Sequence, residues 1–150
     1  PNQSTLVVFD MRWLCSKASE QKRAACLRNL RYWLCSIVES TRAESVNAAG
    51  ETESSAAPVF LVGTHKDAVP DVAEHGRINE ILFSKFGAYV PNLKCHEQGQ
   101  TEDGLAVLAF WPIENTNSAH DPVIPQLKAA IFSTVSAERY VRDVVPYRWL

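Results

Sequence analysis

Three short apolar runs punctuate the chain: Thr5–Asp10 (TLVVFD), Pro58–Gly63 (PVFLVG) and Leu105–Ile113 (LAVLAFWPI). Each is apolar at consecutive positions and so needs cover on both faces, which suits a strand buried in a parallel sheet. Helical patterns separate them. Leu27, Leu30, Leu34 and Ile37 recur at three- and four-residue steps, with Trp33 and Val38 widening the stripe, and predict a long helix over Ser16–Glu39. Arg28, Arg31 and Glu39 fall mostly off that stripe. Ile78, Leu82 and Phe86 predict a second helix, with Asp71 as its N-cap and Gly87 as its stop. Asp121-Pro122 reads as an N-cap followed by a proline at the first helical position. The helix it opens carries Ile124, Leu127, Ile131 and Val135 and runs to about Tyr140. Strands alternating with helices define an α/β fold: a parallel sheet with right-handed crossovers and helices on its faces.

The intervening segments are polar. Ser40–Ala57 is rich in Ser, Ala, Glu and Thr, lacks an apolar period, and reads as a long, mobile surface loop. Val90–Gly104 contains Pro91 and two glycines, with room for one short edge strand around Asn92–Cys95. At 150 residues the chain can bury the core of one domain. A formal charge of −2 argues against a general nucleic-acid binder, which needs clustered cations. Lys17, Lys22, Arg23, Arg28 and Arg31 do share one short stretch; a solvated helix face is the plain reading of it. Cys15, Cys26, Cys35 and Cys95 form no C-x-x-C pair, and His65, His75, His96 and His120 lack metal-ligand spacing, so no metal site is expected. Cys95 and His96 are adjacent, so in a strand they would point apart rather than form a nucleophile pair. Trp33, Trp111 and Trp149 are expected in the core or at an interface. No apolar run reaches membrane-spanning length, and no signal peptide opens the chain; a cytoplasmic, reducing setting is the expectation.

In open α/β sheets ligands bind beyond the carboxyl ends of the strands. That rule singles out two places. The first is Val59-Phe-Leu-Val-Gly-Thr-His-Lys-Asp67, where a buried strand delivers a polar cluster to the sheet edge. It resembles the guanine-specificity motif of GTPases, Asn/Thr-Lys-x-Asp after an apolar strand. A carboxylate there accepts two hydrogen bonds, from the ring N–H and the exocyclic amine of guanine. Adenine lacks that donor pair and would leave the carboxylate unpaired, which is costly. On this reading Asp67 is the base reader and Thr64 stands where Asn is commoner, bridging loops through its hydroxyl. His65 stands in place of Lys and covers one face of the base, and Lys66 is the variable position. The competing reading is that Asp67 only caps the turn into the next helix.

The second place is Phe110-Trp-Pro-Ile-Glu-Asn-Thr116. In GTPases the last strand ends in a short loop whose backbone N–H groups meet the guanine carbonyl oxygen. Glu114, Asn115 and Thr116 occupy that position, unless the segment is an ordinary turn. No G-x-x-x-x-G-K-S/T occurs, and no D-x-x-G follows an early strand. Those elements hold the phosphates and Mg²⁺.

YWLCSI (Tyr32–Ile37), APVFLVGTHKD (Ala57–Asp67), FWPIENTN (Phe110–Asn117) and VPYRWL (Val145–Leu150) together resemble the Roc GTPase domain of Roco proteins, which include leucine-rich-repeat kinases and MFHAS-type GTPases. FDMR (Phe9–Arg12) is similar to the strand end that follows the switch segment in that family. The resemblance implies a three-layer, Ras-like P-loop GTPase fold, of which residues 1–141 are the carboxyl-terminal half and residues 142–150 the start of a COR domain. It implies GTP/GDP as ligand, with Mg²⁺ only where the amino-terminal half is present. It further implies signalling as a switch and self-association as a homodimer or with another protein partner. Without a P-loop this chain alone is expected to be inactive. The alternative is a non-catalytic interaction or dimerisation module derived from a GTPase domain.

Overall fold

The computed structural model describes residues 4–41, 43–46, 52–55, 57–87, 90, 92–101 and 104–137. Its centre is a parallel sheet of β1 (Thr5–Asp10), β4 (Val59–Thr64) and β7 (Trp111–Pro112), side by side in chain order. Helix α1 (Glu20–Thr41) follows β1, α2 (Val72–Phe86) follows β4, and α3 (Val123–Ala137) follows β7. The alternation expected from the apolar runs is therefore present.

Strand β4 is the middle strand, and Val59 through Gly63 are all buried. Its pleat divides the core in two. Val59 and Leu61 join Val7 and Phe9 of β1, Leu30 and Leu34 of α1, and Ile78, Leu82 and Phe86 of α2. Phe60 and Val62 join Trp111 with Val123 and Leu127 of α3. Two helices thus cover one face and one helix the other, which makes three layers.

Gly63 is needed for close approach. A Cβ there would lie 2.7 Å from Met11 Cγ and 2.9 Å from a Phe110 ring carbon. The missing side chain lets the Met11–Trp13 3₁₀ turn and the Phe110 ring meet over the end of β4.

Helix termini follow the expected chemistry, with local differences. Asp71 caps α2, its carboxylate accepting from Ala73 N–H at 2.9 Å. Gly87 ends that helix in ordinary right-handed geometry (φ −57°), so the stop does not use glycine's left-handed freedom. Helix α1 begins at Glu20 rather than Ser16, because the Ser19 hydroxyl accepts the Lys22 N–H and sets the first turn there. Cys26, Leu30 and Leu34 form its buried stripe, flanked by half-buried Leu27 and Ile37. Trp33 does not widen that stripe: it is 57% exposed and meets exposed Tyr32 edge-on at 5.6 Å. Trp111 is buried as expected, whereas Trp149, the extension of α3 toward Tyr140 and the Val144–Leu150 tail lie outside the described residues.

Two further expectations are corrected. Within Ser40–Ala57, α1 continues to Thr41, and β2 (Ala43–Val46) pairs antiparallel with β3 (Thr52–Ser55). Backbone pairing builds that ribbon from a sequence with no apolar period, so hydropathy cannot reveal it. The run Leu105–Ile113 is not one strand. Gly104–Leu108 forms β6, antiparallel to β5 (His96–Thr101); the chain then bends at Ala109-Phe110 before β7 joins the parallel sheet. Asn79 of α2 holds the bend, its side chain accepting from Ala109 N–H at 2.7 Å and donating to Val107 C=O at 3.3 Å. Around Asn92–Cys95 there is one parallel bridge, Leu93 to Val59. No described helix is long and apolar enough to cross a membrane.

Candidate functional site

The carboxyl ends of β1, β4 and β7 bring the predicted residues to one edge of the sheet. Register places Asp10 beside Thr64 and Pro112 beside Gly63. The loop after β4 is held on the β1 side by the Thr64 hydroxyl, which donates to Phe9 C=O at 3.1 Å. The chain then turns sharply: His65 has φ 62° and ψ 43°, left-handed geometry that costs a non-glycine residue roughly 1 kcal/mol. The Lys66–Ala68 3₁₀ turn follows, with Ala68 N–H donating back to His65 C=O at 3.1 Å. This turn directs the half-buried His65 ring toward β1, where Nδ1 lies 3.1 Å from Thr64 Oγ1 and 3.4 Å from Asp10 Oδ1.

Asp10 and Arg12 form a forked pair, with Nη2–Oδ2 at 2.7 Å and Nε–Oδ1 at 3.0 Å. Partial burial pushes the Asp10 carboxyl up, but the hydrogen bonds from Arg12 and the nearby His65 outweigh it and hold it below its ordinary value.

On the other side the two predicted loops are tied together. Lys66 N–H donates to Ile113 C=O at 3.3 Å, and Ile113 N–H to Gly63 C=O at 2.8 Å. Asp121 supplies the stronger tie. Its Oδ1 accepts from Lys66 Nζ at 2.9 Å and from Val123 N–H at 3.0 Å, and its Oδ2 accepts from Glu114 N–H at 2.6 Å. Burial raises this carboxyl, and the Glu114 N–H, the Lys66 ammonium and the Val123 N–H together bring it below its ordinary value. One buried side chain thus caps α3, anchors the loop after β7 and clamps the loop after β4.

Lys66, the variable position of the motif, is spent on this clamp. Asp67 is exposed, and its carboxylate has no hydrogen bond or ion pair among the described residues. The Glu114 N–H is committed to Asp121, whereas the N–H groups of exposed Asn115 and Thr116 have no partner among the described residues. The Thr116 hydroxyl donates to the Glu114 carboxylate at 3.1 Å. Among the described residues the edge therefore offers the Asp67 carboxylate, which makes no hydrogen bond but feels the charge of Arg12, and the Asn115 and Thr116 N–H groups, on neighbouring, mutually anchored loops.

Asp10, Arg12 and Asp121 were not candidates from sequence. The Asp121-Pro122 cap signal located Asp121 without revealing its two further partners. Among the described residues, no group of three His, Cys, Asp or Glu is placed to hold a metal ion. His75 is buried and donates to Val69 C=O at 2.7 Å, so it serves the packing of α2.

The fold and site define an α/β domain with a parallel sheet and a polar cluster at the carboxyl ends of its strands. Comparison with protein-family models, curated proteins and solved structures gives no match.

Proposed function

We propose that this chain is the base-reading portion of a GTP/GDP-binding domain of the Roc type, with Asp67 as the guanine-specific acceptor. The observation that carries this reading is the clamp between the two edge loops. It leaves the Asp67 carboxylate and the Asn115 and Thr116 N–H groups without hydrogen-bond partners among the described residues, on adjacent loops. An acceptor pair beside backbone donors complements the N–H, amine and carbonyl edge of guanine and mismatches adenine. Thr64 sets the loop against β1, the His65 ring turns toward Thr64 and Asp10, and Lys66 braces the loop from the Asp121 side. The parallel order β1-β4-β7 with intervening helices supports the carboxyl half of a Ras-like sheet. Phosphate and Mg²⁺ contacts would come from sequence this chain does not contain, so the chain alone is assigned no hydrolytic activity.

The test uses ¹⁵N-labelled chain and nucleosides, which need no phosphate site. Guanosine should shift the amide resonances of residues 64–68 and 115–116, adenosine should not, and Asp67→Asn should abolish the guanosine response. Equal responses to both nucleosides, or none at millimolar concentration, would refute the assignment.

A second reading, a non-catalytic interaction module, draws on β1. That strand has one neighbour among the described residues, and Leu6 and Val8 on it are 46% and 61% exposed. An open edge with exposed apolar side chains favours strand pairing with another chain.

A further inference from the structure

The basic stretch of α1 does not form one solvated face. Arg23 turns inward and donates to Cys15 C=O at 3.3 Å. Lys17 and Lys22 sit with Arg12 around a cleft at the start of the helix. Arg28 and Arg31, one turn apart, instead face Lys85 of α2 across a groove of about 510 Å³. Among the described residues the groove is lined by these three cations with Leu27 and Phe86. Phe86 is buried at its base and Leu27 half-buried. None of the three cationic side chains has a hydrogen bond or ion pair among the described residues.

We propose that this groove between α1 and α2 docks an acidic peptide segment that carries an apolar anchor. The argument is charge complementarity on an apolar floor. The chain is net negative, yet it gathers three cations, unpaired among the described residues, from two helices around one hydrophobic depression. Like charges so placed repel one another, and a carboxylate-rich partner relieves that repulsion. The forked guanidinium groups of Arg28 and Arg31 suit carboxylates, one turn apart as on an acidic helix. Leu27 and Phe86 offer burial to one aliphatic side chain between those contacts. The groove lies on the α1/α2 face, and the inference stands independently of the guanine reading.

The probe is a short fluorescein-labelled peptide of glutamates with a central leucine, followed by anisotropy at low and raised salt. The wild-type chain should bind it, more weakly at raised salt. The double variant Arg31→Glu/Lys85→Glu should weaken binding about tenfold, since two attractions become repulsions. Lys128→Glu, the same kind of charge change on exposed α3, should leave it unaltered. Replacing the leucine by glutamate should weaken binding by a smaller factor. If charge reversal unfolds the chain, as read by circular dichroism, Arg28→Gln/Arg31→Gln serves instead, with a smaller loss expected. Three results overturn the proposal: groove variants that bind like wild type, an all-glutamate peptide that binds as well as the leucine-bearing one, or groove-dependent binding to phosphatidylserine vesicles with none to the peptide.

Discussion

Replacing Asp121 by alanine tests whether one carboxylate organises the candidate site. The side chain is buried and makes three separate contacts. It caps α3 through Val123 N–H, and a lost cap costs about 1 kcal/mol. It accepts the Glu114 N–H at 2.6 Å, and an N–H bond to a charged acceptor contributes about 1.5–3 kcal/mol. It pairs with Lys66, whose side chain is 27% exposed; that contact contributes no more than about 1 kcal/mol, because solvent screens it and the ammonium can turn to water. Its burial opposes these gains. Asp121→Ala should therefore destabilise the chain by about 3 kcal/mol in urea unfolding, with an unchanged m-value. Asp121→Asn keeps one cap acceptor and should lose about half as much.

The same residue predicts a pH dependence. Asp121 and Asp10 both have folded values held below their ordinary ones. Between the folded and unfolded values the unfolded chain binds more protons, so stability rises with pH across that window. The contribution is fully present above the unfolded value, about 4, and is lost as pH falls through the folded values. Urea midpoints should fall below about pH 4, and Asp121→Asn should flatten that fall. Amide exchange gives the local readout: Glu114 and Lys66 should lose protection in Asp121→Ala while β1 keeps its own. A loss under about 1 kcal/mol, or unchanged exchange at Glu114, would show that the loops are not held by this carboxylate.

Asn79→Ala should cost about 1–3 kcal/mol in urea unfolding, because it orphans the fully buried Ala109 N–H at the β6–β7 bend. Gly63→Ala should destabilise by a similar amount, about 1–3 kcal/mol, since its Cβ would press on Met11 and Phe110; the double variant Gly63→Ala/Met11→Ala should lose less stability than the sum of the two single losses. Asp67→Asn should leave the urea midpoint within about 0.5 kcal/mol of wild type, as expected for an exposed side chain that makes no hydrogen bond and feels only the solvent-screened charge of Arg12, while removing the guanosine response. Burial raises the Cys26 thiol to about 11, so this cysteine should react slowly with a thiol reagent at pH 8 in the folded chain and rapidly in urea.

The parts of this molecule that sequence exposes are those whose physics is local or periodic. TLVVFD and PVFLVG are buried on both faces, and a consecutive apolar run is what two-sided burial requires; β1 matches its expected limits and β4 is shifted by one residue. Asp71 caps α2 because its acceptor serves an N–H two residues on, a relation contained within the sequence window. The errors arise where a partner distant in sequence decides. LAVLAFWPI is apolar enough for one strand, but Asn79, on α2, takes the backbone groups at its middle and divides it between two sheets. Trp33 lies next to the apolar stripe in helical projection, yet among the described residues no element buries that edge of α1, and it is exposed. The candidate site divides the same way. THKD was visible as a polar cluster ending a buried strand, and its sharp turn is set by His65 itself. What ties the cluster to the loop after β7 is the clamp, and the clamp joins Lys66 to Asp121 across 55 positions. A short-range reading of Asp121 finds a helix cap and stops there, because one hydrogen bond already accounts for an aspartate before a proline. The remaining acceptor capacity of a buried carboxylate is the signal that was available: a cap uses one of roughly four lone-pair sites, and burial requires most of the others to be filled from elsewhere in the fold.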